Sequence, residues 1–78
     1  MTTPTALALL QRVGLRKTDV RLATLEVFLN TPVAIGFEDL EPLQLRFDRA
    51  TLYRTLNSLL EHRLIHRIPD PLRGTLYG

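Results

Sequence analysis

Small size without cysteine is the feature that most limits what this chain can fold into. Its 78 residues include no cysteine, so no disulfide can staple the fold and no thiolate can ligate a metal. A chain of this length buries only about 60% of the surface that its unfolded form exposes. TIM barrels, doubly wound nucleotide-binding folds and two-domain enzymes are excluded by length. We expect a single domain over residues 1–78.

Basic residues are concentrated in the second half of the chain. The formal net charge is only +2, yet residues 43–78 hold six arginines against three acidic residues. An arginine fork binds phosphates and guanine edges at two points, which favours a polyanionic partner. A solvated face with scattered arginines would give the same charges. Charge alone leaves both interpretations open.

The first thirty residues show the boundaries of two helices. Thr3-Pro4-Thr5 is a typical helix start for Ala6 to Val13, and Gly14 stands where a helix-ending glycine belongs. Thr18-Asp19 begins a second helix, which Asn30-Thr31-Pro32 stops. The spacing of its apolar residues predicts a core-facing stripe of Leu22, Leu25, Phe28 and Leu29.

Two more helices are predicted before the C-terminal segment. Phe37-Glu38-Asp39-Leu40 can form only a short or irregular helix, because Pro42 limits its length. Asp48 can cap the strongest helix of the chain, from Arg49 to about His62. The apolar face of that helix consists of Leu52, Leu56, Leu59 and Leu60.

The C-terminal segment has the pattern of a β-hairpin. Leu64 to Ile68 loses helical periodicity and predicts a strand, and Thr75 to Tyr77 can return beside it. Pro69 to Gly74 has strong turn chemistry between them. The fold class is therefore mainly α with a small β-hairpin. We predict a winged helix-turn-helix with three to four helices and a two-stranded wing.

A helix-turn-helix protein places the second helix of the motif in the DNA major groove. Here that helix is the one predicted over residues 49–62, and its polar face suits the task. Arg54 can bind a guanine or a phosphate, Thr51 and Ser58 can donate to phosphates, and Ala50 can meet a thymine methyl. Tyr53 lies at the edge of the apolar stripe, where it could contact DNA or bond within the protein.

Two further groups of residues are candidates for the DNA backbone. Arg16, Lys17 and Thr18 open the second helix and could clamp a phosphate, or Thr18 could only cap the helix. Arg67 and Arg73 flank the turn of the wing and could reach a phosphate or the minor groove, or remain solvated.

Enzymatic and metal sites have little support in the sequence. Ser58 and His62 are spaced for a nucleophile–base contact, but no orienting acid or oxyanion hole is specified. His62, His66 and Asp70 straddle the junction between helix and strand and would not share a face as metal ligands. We expect neither an enzyme nor a metal site.

Two stretches of the chain resemble the ferric uptake regulator family. They are Gly14-Leu15-Arg16-Lys17-Thr18-Asp19-Val20-Arg21 and Arg49-Ala50-Thr51-Leu52-Tyr53-Arg54-Thr55-Leu56. They are similar to the family's G-L-R-x-T-x-x-R opening and its A-T-[VL]-Y-R-x-L recognition helix. The resemblance covers roughly Leu9 to Tyr77. Arg63 departs from it, since the family commonly has a glycine before the Leu-Ile pair.

The resemblance implies a bacterial, cytoplasmic transcriptional regulator of the repressor type, working as a homodimer on an AT-rich inverted repeat. It implies base contacts for Tyr53, base or backbone contacts for Arg54, and phosphate contacts for Thr51 and Arg21. Family members bind Fe, Zn or Mn through a C-terminal domain, which residues 1–78 do not include, so we expect no cofactor here. The candidate DNA-binding residues are Arg16, Lys17, Thr18, Arg21, Arg49, Ala50, Thr51, Tyr53, Arg54, Asn57, Arg67 and Arg73.

A protein–protein interaction module that pairs with a full-length regulator is the alternative from another class. An exposed apolar patch beyond the helical core would favour it. Leu7, Leu9, Leu43 and Leu45 are the residues that a small core could leave uncovered.

Overall fold

The computed structural model describes residues 5–78 and is mainly helical, with one antiparallel hairpin at its C-terminal end. The predicted order of elements is confirmed, although Thr3 and Pro4 of the predicted helix start lie outside the described residues. The elements are α1 (Ala6–Val13), α2 (Asp19–Asn30), α3 (Phe37–Leu40), a 3-10 helix (Glu41–Gln44), α4 (Arg49–Glu61), β1 (Arg67–Asp70) and β2 (Gly74–Tyr77).

Side-chain caps fix where the three longer helices begin. The Thr5 hydroxyl accepts a hydrogen bond from the Ala8 N–H at 3.1 Å. The Thr18 hydroxyl accepts one from the Arg21 N–H at 3.2 Å. The Asp48 carboxylate accepts one from the Thr51 N–H at 3.4 Å. Each cap satisfies an amide that the helix itself cannot pair, which confirms the predicted starts of α1, α2 and α4.

Two of the helices end with a residue in the left-handed conformation. Gly14 has φ 78° after α1, and Arg63 has φ 59° after α4. At both ends the next amide reaches back into the helix, from Leu15 to the Leu10 carbonyl at 3.0 Å and from Leu64 to the Leu59 carbonyl at 2.9 Å. This 6→1 bond is typical of the Schellman motif, which favours glycine at the left-handed position.

The core lies between α2 and α4 and is completed by side chains from α1, α3, β2 and the connections that hold Ile35 and Ile65. On α4 the predicted apolar face is confirmed, because Leu52, Leu56 and Leu59 are fully buried. On α2 the prediction is only partly right, since Leu25 is buried but Leu29 is exposed. Leu29 and Asn30, the last two residues of α2, are both exposed, whereas Phe28 packs partly against the core.

The first strand begins later than predicted. Leu64 and Ile65 lie in the connection that follows α4, and the strand runs over Arg67–Asp70. Ile65 is buried in the core, so its apolar character serves the helical bundle and not a sheet. The Leu64 amide bonds back to the Leu59 carbonyl of α4 and so is not available to a strand.

A residue from the middle of the chain extends the hairpin. β1 and β2 pair antiparallel, with Ile68 opposite Leu76. Ile35, between α2 and α3, pairs in turn with Tyr77, and the two residues exchange backbone hydrogen bonds of 2.9 and 2.7 Å. This bridge, which the sequence analysis did not predict, joins the hairpin to the loop that precedes α3.

Candidate nucleic-acid interface

A cleft of ≈ 540 Å³ lies between the start of α2 and the outer side of α4. We call it the α2–α4 cleft. Its lining is basic and hydroxyl-rich and contains no acidic side chain. The lining residues are Arg16, Thr18, Val20, Arg21, Thr51, Arg54, Thr55 and Ser58.

The α2–α4 cleft brings together five residues that the sequence singled out from two distant stretches. Arg16, Thr18 and Arg21 come from the start of α2, and Thr51 and Arg54 come from α4. Three guanidinium groups around one opening, together with hydroxyl donors, form a site whose chemistry suits a phosphate. The positive end of the α2 dipole adds to this potential.

Hydrogen bonds hold two of these arginines in place. Nη1 of Arg21 donates to the Arg16 carbonyl at 2.8 Å, which folds the guanidinium across the start of α2. Nη2 of Arg54 donates to the Thr51 hydroxyl at 3.4 Å, one turn back along α4. Both contacts use one donor of a guanidinium that has five, so the remaining donors are free to bind a ligand.

Asp48 forms hydrogen bonds with both the amide and the hydroxyl of Thr51. The Thr51 hydroxyl donates to Oδ1 of Asp48, whose other oxygen caps the α4 amide of the same threonine. The Thr51 hydroxyl lowers the pKa of Asp48 from its ordinary value, because it stabilises the carboxylate form. Thr51 is therefore held by Asp48 and in turn accepts from Arg54.

The exposed face of α4 lies beside the cleft. Ala50, Arg54 and Asn57 are all exposed and are spaced at three and four residues, so they share one side of the helix. The side chain of Arg54 thus belongs both to this face and to the cleft.

Tyr53 packs against α3 at the other edge of that face. Its ring stacks on Phe37, with centroids 4.0 Å apart and planes inclined by 6°, and 43% of the residue remains exposed. The ring is therefore packed on one side and open on the other. No hydrogen bond to its hydroxyl is formed within residues 5–78.

Arg49 is committed to the same edge. Its guanidinium carbon lies 5.3 Å from the centroid of the Phe37 ring, and its Nε lies 3.5 Å from a Glu41 carboxylate oxygen. The ion pair offsets part of its charge. Arg49 therefore offers less to an anion than the arginines of the α2–α4 cleft.

The two arginines of the hairpin have different surroundings. Arg73 forms an ion pair and hydrogen bond with Asp39 of α3, so it points back toward the helices. Arg67 is exposed on β1 and takes part in no ion pair among the described residues. Lys17 lies between Arg16 and Thr18 in the sequence. It is exposed and does not line the α2–α4 cleft.

The sequence did not single out Asp39, which links the start of α3 to the hairpin. Its Oδ2 accepts the Gly36 amide at 3.1 Å, which starts α3, and it also receives Arg73. The Gly36 amide, followed by Arg73, lowers the pKa of Asp39 from its ordinary value. The spacing from Gly36 to Asp39 is a recognisable N-cap signal, whereas no local pattern announces a contact with Arg73.

Ser58 and His62 do not form the hydrogen bond that a nucleophile and its base would share. Nδ1 of His62 lies 2.9 Å from the backbone carbonyl of Ser58 and not from its hydroxyl. Within residues 5–78 there is no group of three or more His, Cys, Asp or Glu side chains that could hold a metal ion.

A second cleft, of ≈ 440 Å³, lies between α2 and the 3-10 helix and bears on the alternative function. Leu43 lines it together with Val27 and Thr31. Leu43 is 63% exposed and Leu45 is 82% exposed, as the alternative requires. Leu7 is 39% exposed, and Leu9 is partly buried against the core.

No protein-family model, curated protein or solved structure matches this chain. In the described part of the chain, no helix is both long and apolar enough to cross a membrane. The interface described above therefore rests on its own geometry.

Proposed function

We propose that this chain is a winged helix-turn-helix domain that binds double-stranded DNA as a transcriptional regulator of the repressor type. One observation carries the proposal: the α2–α4 cleft joins three arginines to the exposed face of the helix whose sequence resembles a recognition helix. A phosphate site directly beside a polar helix face is what a helix-turn-helix reader needs.

In this proposal α4 enters the major groove, which has room for one α-helix. A backbone phosphate occupies the α2–α4 cleft, where Arg16, Arg21 and Thr18 receive it. Arg54 reaches either that phosphate or a guanine edge, and Ala50 and Asn57 face the bases from the same side. Phosphate contacts set the register of the helix, and the exposed face supplies the sequence preference.

The edge formed by Tyr53 and Arg49 supports the same docking. Phe37 holds the Tyr53 ring by stacking, so little side-chain freedom would be lost when the open face of the ring meets a base. Arg49 would keep its Glu41 partner and add little attraction of its own.

The resemblance to the ferric uptake regulator family supplies the rest of the proposal. The preferred site is an AT-rich inverted repeat, and two copies of the chain bind it as a homodimer in a bacterial cytoplasm. No metal is assigned to residues 1–78.

The test begins with the selection of duplexes from a random pool by the full chain. Fluorescence anisotropy then measures the affinity of the enriched duplex and of a scrambled duplex at two salt concentrations. We expect a preference for the enriched duplex and an affinity that falls as salt rises, because bound arginines release counterions. Enrichment of no duplex, or equal binding of both duplexes, would overturn the proposed sequence-specific function.

The exposed Leu43 of the second cleft and the nearby exposed Leu45 favour one other function, a module that pairs with another protein chain. Leu43 and Leu45 are the residues that such a partner would cover. Light scattering separates the two functions, because a stable dimer without DNA that Leu43→Asp dissociates would favour the interaction module. A monomer that dimerises only on the selected duplex would favour the DNA-binding function.

A further inference from the structure

The tip of the hairpin, residues 71–73, presents an apolar side chain to solvent. Leu72 is 94% exposed, the highest value among the large hydrophobic residues that the structure leaves uncovered. A single exposed leucine is unremarkable on a flexible loop. It calls for an explanation here because the tip is held in one conformation.

Three features hold the tip. Oδ1 of Asp70 accepts the amides of Leu72 at 2.9 Å and Arg73 at 2.8 Å, closing the turn from inside. Pro71 has a fixed φ, and Gly74 takes φ 81°, which a three-residue hairpin loop commonly requires. The backbone therefore carries Leu72 outward with little freedom to fold it back.

The cation at the tip is paired within the protein. Arg73 forms an ion pair with Asp39 of α3 while part of its side chain stays exposed, and Leu72 is the more exposed neighbour. Arg67, at the far end of β1, is exposed and forms no ion pair among the described residues. The hairpin thus has an apolar end and a cationic base.

The hairpin lies on the side of α4 opposite the α2–α4 cleft. Arg73 ties it to Asp39, and Phe37, on the same short helix, stacks on Tyr53 of α4. Thr51 and Ser58 of α4 line the cleft at the other edge. The exposed face with Arg54 stands between these two flanks, so DNA held by that face also passes the hairpin.

We propose that Leu72 is an apolar wedge that enters the minor groove next to the major groove occupied by α4. The inference rests on the proposed DNA-binding function. Apolar side chains inserted between base steps unstack them and bend the duplex. Arg67 then lies against the backbone of the same groove, which attracts arginine most strongly where A·T pairs make it narrow.

The experiment compares the Leu72→Ala variant with the unchanged chain on the selected duplex. Affinity is measured by anisotropy over a salt series, and bending by energy transfer between dyes at the duplex ends. Leu29→Ala removes the same atoms from another exposed leucine, which lies near the end of α2 and lines neither cleft. Leu72→Met keeps an apolar side chain of similar length. Thermal unfolding by circular dichroism verifies that all variants are folded.

We expect Leu72→Ala to weaken binding roughly tenfold and to reduce the bend, because the buried methyl groups of the wedge are lost. The slope of affinity against salt stays unchanged, because leucine neutralises no phosphate. Leu29→Ala behaves as the unchanged chain, and Leu72→Met retains most of the bend.

Two results overturn the inference alone: unchanged affinity and bending in Leu72→Ala, or loss of self-association in light scattering with DNA binding intact. The second result would make the tip a protein contact. If the full chain enriches no duplex, the proposed function fails first and the wedge fails with it.

Discussion

At the scale of single residues, Gly14 and Arg63 occupy equivalent left-handed positions at helix ends, for which glycine is better suited than arginine. Both end a helix in the left-handed conformation, and both are followed by a leucine whose amide bonds back into the helix. A side chain with a Cβ costs roughly 1–2 kcal/mol in that conformation, which glycine avoids. Arg63 therefore carries strain at the position where the resembling family commonly has glycine.

We expect Arg63→Gly to raise the free energy of unfolding by about 0.5–1 kcal/mol, since relief of the strain exceeds the added backbone entropy of glycine. Gly14→Ala should lower it by about 1 kcal/mol, although nothing within 4 Å would meet the new methyl group. Urea denaturation followed by circular dichroism measures both. Arg63→Ala is the control, because it removes the charge and keeps the strain. A destabilised Arg63→Gly variant would contradict the assignment.

Arg54 belongs both to the α2–α4 cleft and to the exposed face of α4. Arg54→Ala should weaken binding of the selected duplex by about 1–3 kcal/mol and lower the salt slope by about 1. Arg12→Ala, on α1, removes the same charge outside the cleft and serves as the matched control. Titrations at fixed salt measure both variants. Equal losses in the two would reduce the role of Arg54 to net charge.

At the scale of elements, aspartates start or close three of the structural units. Asp39 accepts the first amide of α3, Asp48 caps α4, and Asp70 closes the hairpin turn. These contacts lower the pKa of each carboxyl group below 3.8, for Asp39 and Asp70 chiefly through backbone amides and for Asp48 chiefly through Thr51. The carboxylate form is therefore favoured in the folded chain.

A lowered folded pKa means that this stabilisation is fully present above the unfolded pKa and is lost as the pH falls through the folded one. We expect Asp48→Ala to be less stable than the unchanged chain at neutral pH, with a difference that shrinks as the pH falls below 3.8. Asp48→Asn retains a cap without a charge and should lack that pH dependence. Urea denaturation over a pH series measures the three chains. A constant difference for Asp48→Ala would show that the charge of Asp48 contributes nothing.

At the scale of the whole molecule, the helices and their ends were predictable because their signals are local. Thr18, Asp48 and Gly14 act within four residues of the backbone groups they satisfy. Most residues of the α2–α4 cleft were predictable one by one, since they lie on a polar stretch at a helix start or face, whereas Val20 and Thr55 were not predicted. Their convergence on one cleft depends on how α2 packs on α4, which the sequence pattern does not specify.

The features that escaped prediction depend on contacts between distant parts of the chain. Ile65 has the character of a strand residue, but the end of α4 and the core determine its position. Arg73 was expected at a DNA contact, and its partner Asp39 precedes it by 34 residues. Short range patterns contain no information about such pairs.

The bridge between Ile35 and Tyr77 also determines how the molecule can come apart. Its two hydrogen bonds tie the hairpin to the segment between α2 and α3, so the hairpin cannot peel away while that segment stays in place. Local opening of a protein proceeds by cooperative units, and amides in one unit exchange with solvent together. We expect the Ile35 and Tyr77 amides to belong to one such unit and to exchange together. Opening of the hairpin would then also release the segment that precedes α3.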